Sequence, residues 1–526
     1  MNRRSFFARC LGAVLALSLG ALLPAAAWAN PAGSSYLPYF FSPAPKYVFF
    51  FLGDGMSASQ IQATEAYLTT INGGSARVAE DLLRPENRLN MSKMPVNGMQ
   101  TTFDAFALMT DSASSATAFG AGIKTKSGVI GMDENLIRSV KSVAELAHER
   151  GMKVGVLSSV PLNHATPAAY YASVTSRGLY NNIGAQMAES GYEFFGGAGL
   201  LAATGPARDG DTEHNLWDLL GAHGYELRND RESILALKEN PRDKVVAINP
   251  MLAGSESMPY AIDRPEGNLS LAEMTEVAIA NLLGTRGPGR NPGFFIMVEG
   301  GKIDWAGHAN DAMANIGDIL DFDAAVGKAL EFYNQHPHET LIIVTGDHET
   351  GGMTIGHATT GYTAYYDRLL GQSNSYEYFQ NVHWAAHKEA LESGYDWTRP
   401  DNLASTPEMV ALIEQQFGLV WGELNEYQQQ KLEDAYDMSM VGENRNSSAE
   451  NSFLYGGYEP IVVTLTHVLN EEASIGWTSY AHTGVPVPVF AQGRTASAFA
   501  GFYDNTDIAK QLARVMRLPE MPVYRD

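Results

Sequence analysis

The sequence predicts an α/β fold: a mostly parallel central sheet flanked by helices on both faces, with a large insertion before its last polar motif. Three observations lead there. Apolar runs rich in Val, Ile and Phe (KYVFFFLGDG from Lys46, MKVGVLSSV from Met152, FFIMVEGG from Phe294, TLIIVTGDHE from Thr340) are short, non-alternating and mostly closed by glycine. Strands buried on both faces of a sheet read this way. Between them lie helical patterns such as SVKSVAELAHERG, stopped by Gly151, and NDAMANIGDILDFDAAVGKALEF, with Met313, Ile316, Ile319, Leu320, Phe322 and Val326 on one stripe. Finally, carboxylates and an imidazole fall at the ends of the apolar runs, the edge where open α/β sheets bind ligands.

Residues 1–29 run from Arg3 and Arg4 through an apolar stretch, Leu11 to Leu23, to Ala27-Trp28-Ala29. That is the charged start, apolar middle and cleavage site of a secretory signal. The arginine pair followed by Phe6 and Phe7 resembles a twin-arginine export signal, with Asn2 in place of the usual serine or threonine. A periplasmic or secreted protein is therefore expected, with an extension at 30–45 and the catalytic domain at 46–526. No later window reaches about 18 uninterrupted apolar residues, so no membrane span is expected in the mature chain. Cys10, the single cysteine, lies inside the leader, leaving no disulfide to stabilise the exported protein. A formal net charge of −23 argues against a nucleic-acid partner.

The stretch TDSASSATAFGAG, Thr110 to Gly122, gathers small residues as tight helix packing would, yet offers a nucleophile without a nearby histidine. It also lacks the G-x-S-x-G elbow. Any activation of a serine here must come from elsewhere in the fold.

The strand ends supply a candidate. Asp54 closes the first run, Glu299 the third and Asp347-His348 the fourth, and in GGKIDWAGH Asp304 and His308 stand four apart. On one helical turn that spacing aims both at one cation. Four carboxylates and two histidines, with only Lys302 interleaved, would repel one another unless cations sat among them.

With these residues identified, TDSASSATA resembles the nucleophile segment of the alkaline phosphatase family. LGDGM, ATPAAYYASVTSR, MVEGGKIDWAGHAND, VTGDHETGG and YAHTG resemble its metal and phosphate segments, in the family's order. The resemblance implies a Ser112 nucleophile; a first zinc on Asp304, His308 and His482; and a second on Asp54, Asp347 and His348 that also meets the Ser112 oxygen. It further implies a magnesium on Asp54, Thr166 and Glu299, and Arg177 clamping two phosphate oxygens. Donors of nitrogen and oxygen without thiolate suit zinc, and all-oxygen ligation suits magnesium. Ser112 would be activated by coordination, within a two-metal in-line displacement through a phosphoserine. Asp111 and Ala113 fit a serine opening a helix, whose free N–H groups attract anions, while Ser114 and Ser115 face the packing. Phosphate monoesters are the implied substrates and a homodimer the implied assembly.

Two features depart from some bacterial relatives. His164 and Trp305 stand where those relatives have aspartate and lysine, and both should flank the third site and touch substrate. More than 130 residues separate His348 from His482, so an insertion at about 359–458 is expected outside the sheet, as a lid or subunit contact. Within it STPEMVALIEQQFG reads as a helix with Ser405 or Thr406 before Pro407 and Gly418 after, GELNEYQQQKLEDAYDMS as another, and ENRNSSAENS as an exposed loop. Alternatives are a superfamily relative acting on phosphodiesters or sulfate esters, and a non-catalytic phosphate-binding protein. Arg177 favours a dianionic phosphate over the first, and a complete set of catalytic positions disfavours the second.

Overall fold

The four apolar runs are central strands of a ten-stranded sheet. The computed structural model describes residues 43–204, 213–285, 291–390 and 395–525; the expected leader at 1–29 with Cys10, and most of the extension at 30–45, lie outside them. Across the sheet the order is Gly501–Tyr503, Val96–Gln100, Val487–Gly493, Thr340–Gly346, Tyr47–Gly53, Phe294–Gly300, Lys153–Ser158, Phe194–Gly197, Val245–Ile248 and Glu226–Arg228. Val487–Gly493 runs antiparallel to both neighbours, and the other described pairings of this sheet are parallel.

Tyr47–Gly53 is buried at every position because both faces are covered. Phe49 and Phe51 meet Phe332 and Phe322 of the helix Ala312–Gln335 edge-on. Phe50, pointing the other way, meets Phe119 of the helix Ser112–Ala121 and Tyr170. Burial on both sides removes any reason to alternate polar with apolar, which is why the run is unbroken. In register, Gly53 lies opposite both Gly300 and Gly346. The three central strands therefore end level, and the residues just beyond their closing glycines emerge side by side.

Residues 359–458 add no strand to this sheet among the described residues. Their helices include Pro407–Phe417 and Glu426–Val441, and their aromatics turn inward. Phe379, Trp384, Met409 and Phe417 share one buried cluster with Ala63, Met313, Ile316 and Leu465 of the main body. The segment thus completes a core instead of hanging from it. ENRNSSAENS is not the exposed loop expected: its second half begins the helix Ser448–Tyr455. Ser447 Oγ accepts the Glu450 N–H while the Glu450 carboxylate accepts the Ser447 N–H. This reciprocal cap satisfies two orphan donors and starts a helix in spite of the polar composition. Among the described residues no helix is long and apolar enough to cross a membrane.

Candidate active site

The level strand ends bring Asp54 and Asp347-His348 out of neighbouring strands, with Glu299 one residue inside a third. Asp54-Gly55 turns sharply. Gly55 has φ +72°, and a Cβ there would stand 2.9 Å from the Asp304 backbone, so only glycine fits. Its N–H donates to Asp347 Oδ1 at 3.0 Å, tying two of the ends together.

After Gly300 the chain enters the helix Lys302–His308, and the four-residue spacing sets His308 Nε2 3.3 Å from Asp304 Oδ2. His482 arrives from far along the chain on a short antiparallel ladder, opposite Thr350. Its Nε2 lies 3.4 Å from Asp304 Oδ1 and 3.0 Å from His308 Nε2. Both histidines are oriented by backbone carbonyls: Nδ1 of His308 is 2.7 Å from Tyr480 O, and Nδ1 of His482 is 2.7 Å from Thr110 O. A carbonyl can only accept, so each Nδ1 donates a proton to it and each Nε2 is turned toward Asp304, the orientation a metal ligand needs. His348 Nε2 lies 3.1 Å from Asp347 Oδ2 and 3.4 Å from Asp54 Oδ1. Two overlapping groups result, Asp304 with His348 and His482, and Asp54 with Asp347 and His348, each with donor atoms within 4.8 Å of one another.

These residues demand cations. Both Asp54 carboxylate oxygens, Glu299 Oε1, Thr166 Oγ1 and His348 Nε2 are buried without a hydrogen-bond partner, a costly condition unless an ion completes it. Burial, then the charges of Asp347, Asp304 and Glu299, push the Asp54 carboxyl well up. Burial likewise raises Glu299 to about 8, against the hydrogen bond it accepts from Ser158. Burial opposes ionisation of Asp304 too, but the His308 and His482 imidazoles outweigh it and hold that carboxyl far down. The same pairing lifts His308 to about 9 against burial. Protons thus take the places that cations would fill.

Ser112 is the first residue of its helix, capped by Asp111. Asp111 accepts the Ser114 N–H at 3.0 Å through Oδ1 and receives Arg177 Nη1 at 3.0 Å on Oδ2. The cap of the serine's helix therefore aims the arginine. Arg177 Nη2 is 3.1 Å from His164 Nε2, and the His164 and Trp305 rings meet edge to face at 5.9 Å. Thr166 sits in the short helix Ala165–Ala168. Ser115 is buried, yet it does more than pack: its Oγ donates to Asp347 Oδ2 at 3.0 Å. Sequence reasoning also missed the aiming role of Asp111 and the contacts of Ser158 with Glu299 and of Thr350 with Asp304. A serine ending the Lys153–Ser158 run beside Glu299's strand was the one available signal.

Carboxylates in need of cations, set beside an arginine fork and a helix-opening serine at the carboxyl edge of a parallel sheet, define a metal-dependent α/β hydrolase of phosphate esters. The alkaline phosphatase family model matches residues 45–518, and the chain belongs to that family. It is 28% identical over 474 residues to alkaline phosphatase 3 of Bacillus subtilis, covering 90% of this chain and 89% of that one. To alkaline phosphatase 4 of the same organism it is 30% identical over 469 residues, covering 89% and 87%. Among solved structures, the cold-active alkaline phosphatase of a psychrophilic Shewanella superposes with a TM-score of 0.67 at 28% identity, covering 89% of this chain and 99% of that one. A histidine-to-aspartate variant of TAB5 alkaline phosphatase with Mg bound in the M3 site gives 0.59 at 26%, covering 91% and 100%. This chain is accordingly an enzyme, a phosphoric monoester hydrolase of the alkaline phosphatase kind.

Proposed function

We propose that the chain is an exported phosphomonoesterase that works through a phosphoserine at Ser112, with two zinc ions and one magnesium. Asp304, His308 and His482 would hold the first zinc, Asp54, Asp347 and His348 the second, and Asp54, Thr166 and Glu299 the magnesium. The mixed nitrogen–oxygen sets suit zinc and the oxygen-only set suits magnesium, in keeping with the Mg in the TAB5 variant. When bound, the cations polarise the phosphoryl oxygens, favour the alkoxide of serine and the hydroxide of water, and offset charge on the leaving oxygen.

The protein's own residues do the rest. Arg177 spends one N–H on Asp111 and one contact on His164, and each terminal nitrogen keeps a second N–H for a phosphate oxygen. Unspent N–H groups at the start of the Ser112 helix add to the anion's hold. Ser112 Oγ attacks phosphorus as the ester oxygen departs with a proton to become the alcohol. Water then attacks the phosphoserine, its P–O bond to serine breaks, and phosphate leaves with serine restored. The observation that carries the reading is the aiming of Arg177 from the cap of the Ser112 helix beside orphaned metal donors. Hydrolysis of a phosphate monoester, a diester and a sulfate ester, before and after chelation and metal replacement, tests it. Metal-dependent cleavage of the monoester well above the others is expected; preference for the diester or sulfate would overturn it.

A homodimer belongs to the same proposal. Met99 and Phe502 face each other across a strand ladder, Thr102 bonds the Val485 carbonyl, and Leu108 abuts Gly484. With Phe103, Phe106 and Met109, the side chains of Met99, Leu108 and Phe502 are exposed and apolar, as on a surface awaiting a partner. Sedimentation of the wild type and of Phe106→Asp should give a dimer and a weakened dimer.

A further inference from the structure

Trp305 directly follows Asp304, and its half-buried ring is one wall of a cleft of about 340 Å3. Apart from Ser255, the rest of its lining comes from the far segment of the chain, Tyr376, Gln380 and Asn381 from one stretch and Tyr458 and Glu459 from another. The cleft lies against the helix Lys302–His308, which carries Asp304 and His308. The Tyr458 ring lies 5.9 Å from that of Tyr480, whose carbonyl orients His308.

Its walls are fixed rather than pliable. Lys302, wholly buried on the helix that carries Asp304, reaches Glu377 at 2.8 Å and lies 3.7 Å above the Tyr260 ring. The Tyr376 N–H donates to Asp311 at 2.8 Å, and the Tyr376 ring meets Tyr458 edge-on at 5.9 Å. By contrast, the amides of Gln380 and Asn381 and the carboxylate of Glu459 make no hydrogen bond among the described residues.

We infer that this cleft is the subsite for the alcohol half of the ester, selecting uncharged or cationic leaving groups that carry a ring. The inference rests on the phosphomonoesterase reading and adds to it the substrate class. Indole and phenol faces favour a planar ring by stacking. The free amides offer donors and acceptors to ring substituents, and the unpaired Glu459 carboxylate, on a strongly acidic protein, repels a second anionic group on the leaving alcohol. An open-chain polyol would leave most of the aromatic surface unused.

The test compares kcat/KM for phenyl phosphate, glycerol phosphate and 4-carboxyphenyl phosphate, using the purified full chain supplied with zinc and magnesium. Asn381 is exposed, so Asn381→Trp fills the cleft without touching a core. It should lower kcat/KM for phenyl phosphate by about tenfold or more, the usual discrimination of one well-filled apolar pocket, while glycerol phosphate and inhibition by inorganic phosphate stay unchanged. Glu459→Lys should raise the 4-carboxyphenyl ester relative to the phenyl ester. Equal loss for phenyl and glycerol esters, or no loss for either, overturns the subsite. A wild type inactive on all three esters overturns the phosphomonoesterase reading and the subsite with it.

Discussion

His164 Nε2 stands 3.1 Å from Arg177 Nη2, and since a guanidinium can only donate, the imidazole accepts. Its proton therefore sits on Nδ1, which is buried without a partner. Burial, then the Arg177 charge, drives the His164 pKa to about 3, so the ring is a neutral prop for the arginine. An aspartate in its place would add charge beside the Asp54, Thr166 and Glu299 group. His164→Asp should make turnover depend more strongly on added magnesium, read from activity titrated with Mg after dialysis. An unaltered titration would count against it.

Trp305 holds His164 edge-on and lies 4.9 Å from the buried Lys302 ammonium. It presents a ring face and a single N–H where a lysine would present a charge. Trp305→Lys should therefore tighten inhibition by inorganic phosphate and lower the maximal rate, because slower product release limits turnover. Unchanged phosphate inhibition in a folded, metal-loaded variant would refute this.

Ser112→Ala should abolish the covalent phosphoenzyme and cut turnover by roughly a thousandfold or more, with the fold intact and some direct hydrolysis surviving. Acid trapping with labelled substrate reads it out. Label on the variant would point to another nucleophile.

The Lys302–Glu377 pair joins the helix that carries Asp304 and His308 to the segment 359–458, and the Lys302 side chain is wholly inaccessible. Glu377→Gln strands that ammonium and should cost about 3–5 kcal/mol in denaturant unfolding, whereas Lys302→Met combined with Glu377→Gln should recover most of it. A double variant as unstable as the single one would show that the pair's packing, not its charge, is what matters.

Chelation should destabilise the protein more at alkaline than at acid pH. With no cation, Glu299 is raised from 4.5 to about 8 and His308 from 6.5 to about 9. In both cases the folded state binds more protons than the unfolded state over that range, so stability of the metal-free protein falls as pH rises from about 5 to 9. Bound cations replace those protons and remove the penalty. The melting-temperature gap between metal-loaded and chelated protein should widen by several degrees across that window. A constant gap would contradict the electrostatic account.

What the sequence determined by itself lay in short windows. Strands buried on both faces show as unbroken apolar runs, the residue after a closing glycine marks the strand's exit, and Asp304 and His308 show their common face by a spacing of four. Such patterns depend on local geometry that every helix or strand repeats. The parallel sheet and the convergence of Asp54, Glu299, Asp347 and His348 at its edge were legible for that reason. Even so, a polar window concealed the cap of Ser447 and Glu450.

Only the tertiary structure decided how those groups are aimed. The carbonyl that orients His308 lies 172 residues away and the one that orients His482 lies 372 away; since every residue has a carbonyl, no composition or motif marks the chosen one. Arg177 finds Asp111 across 66 residues and Lys302 finds Glu377 across 75, pairings set by how separate elements pack. The same packing turned the segment 359–458 into part of a shared core, because Phe379, Met409 and Phe417 are buried in one cluster with Ala63, Met313 and Leu465.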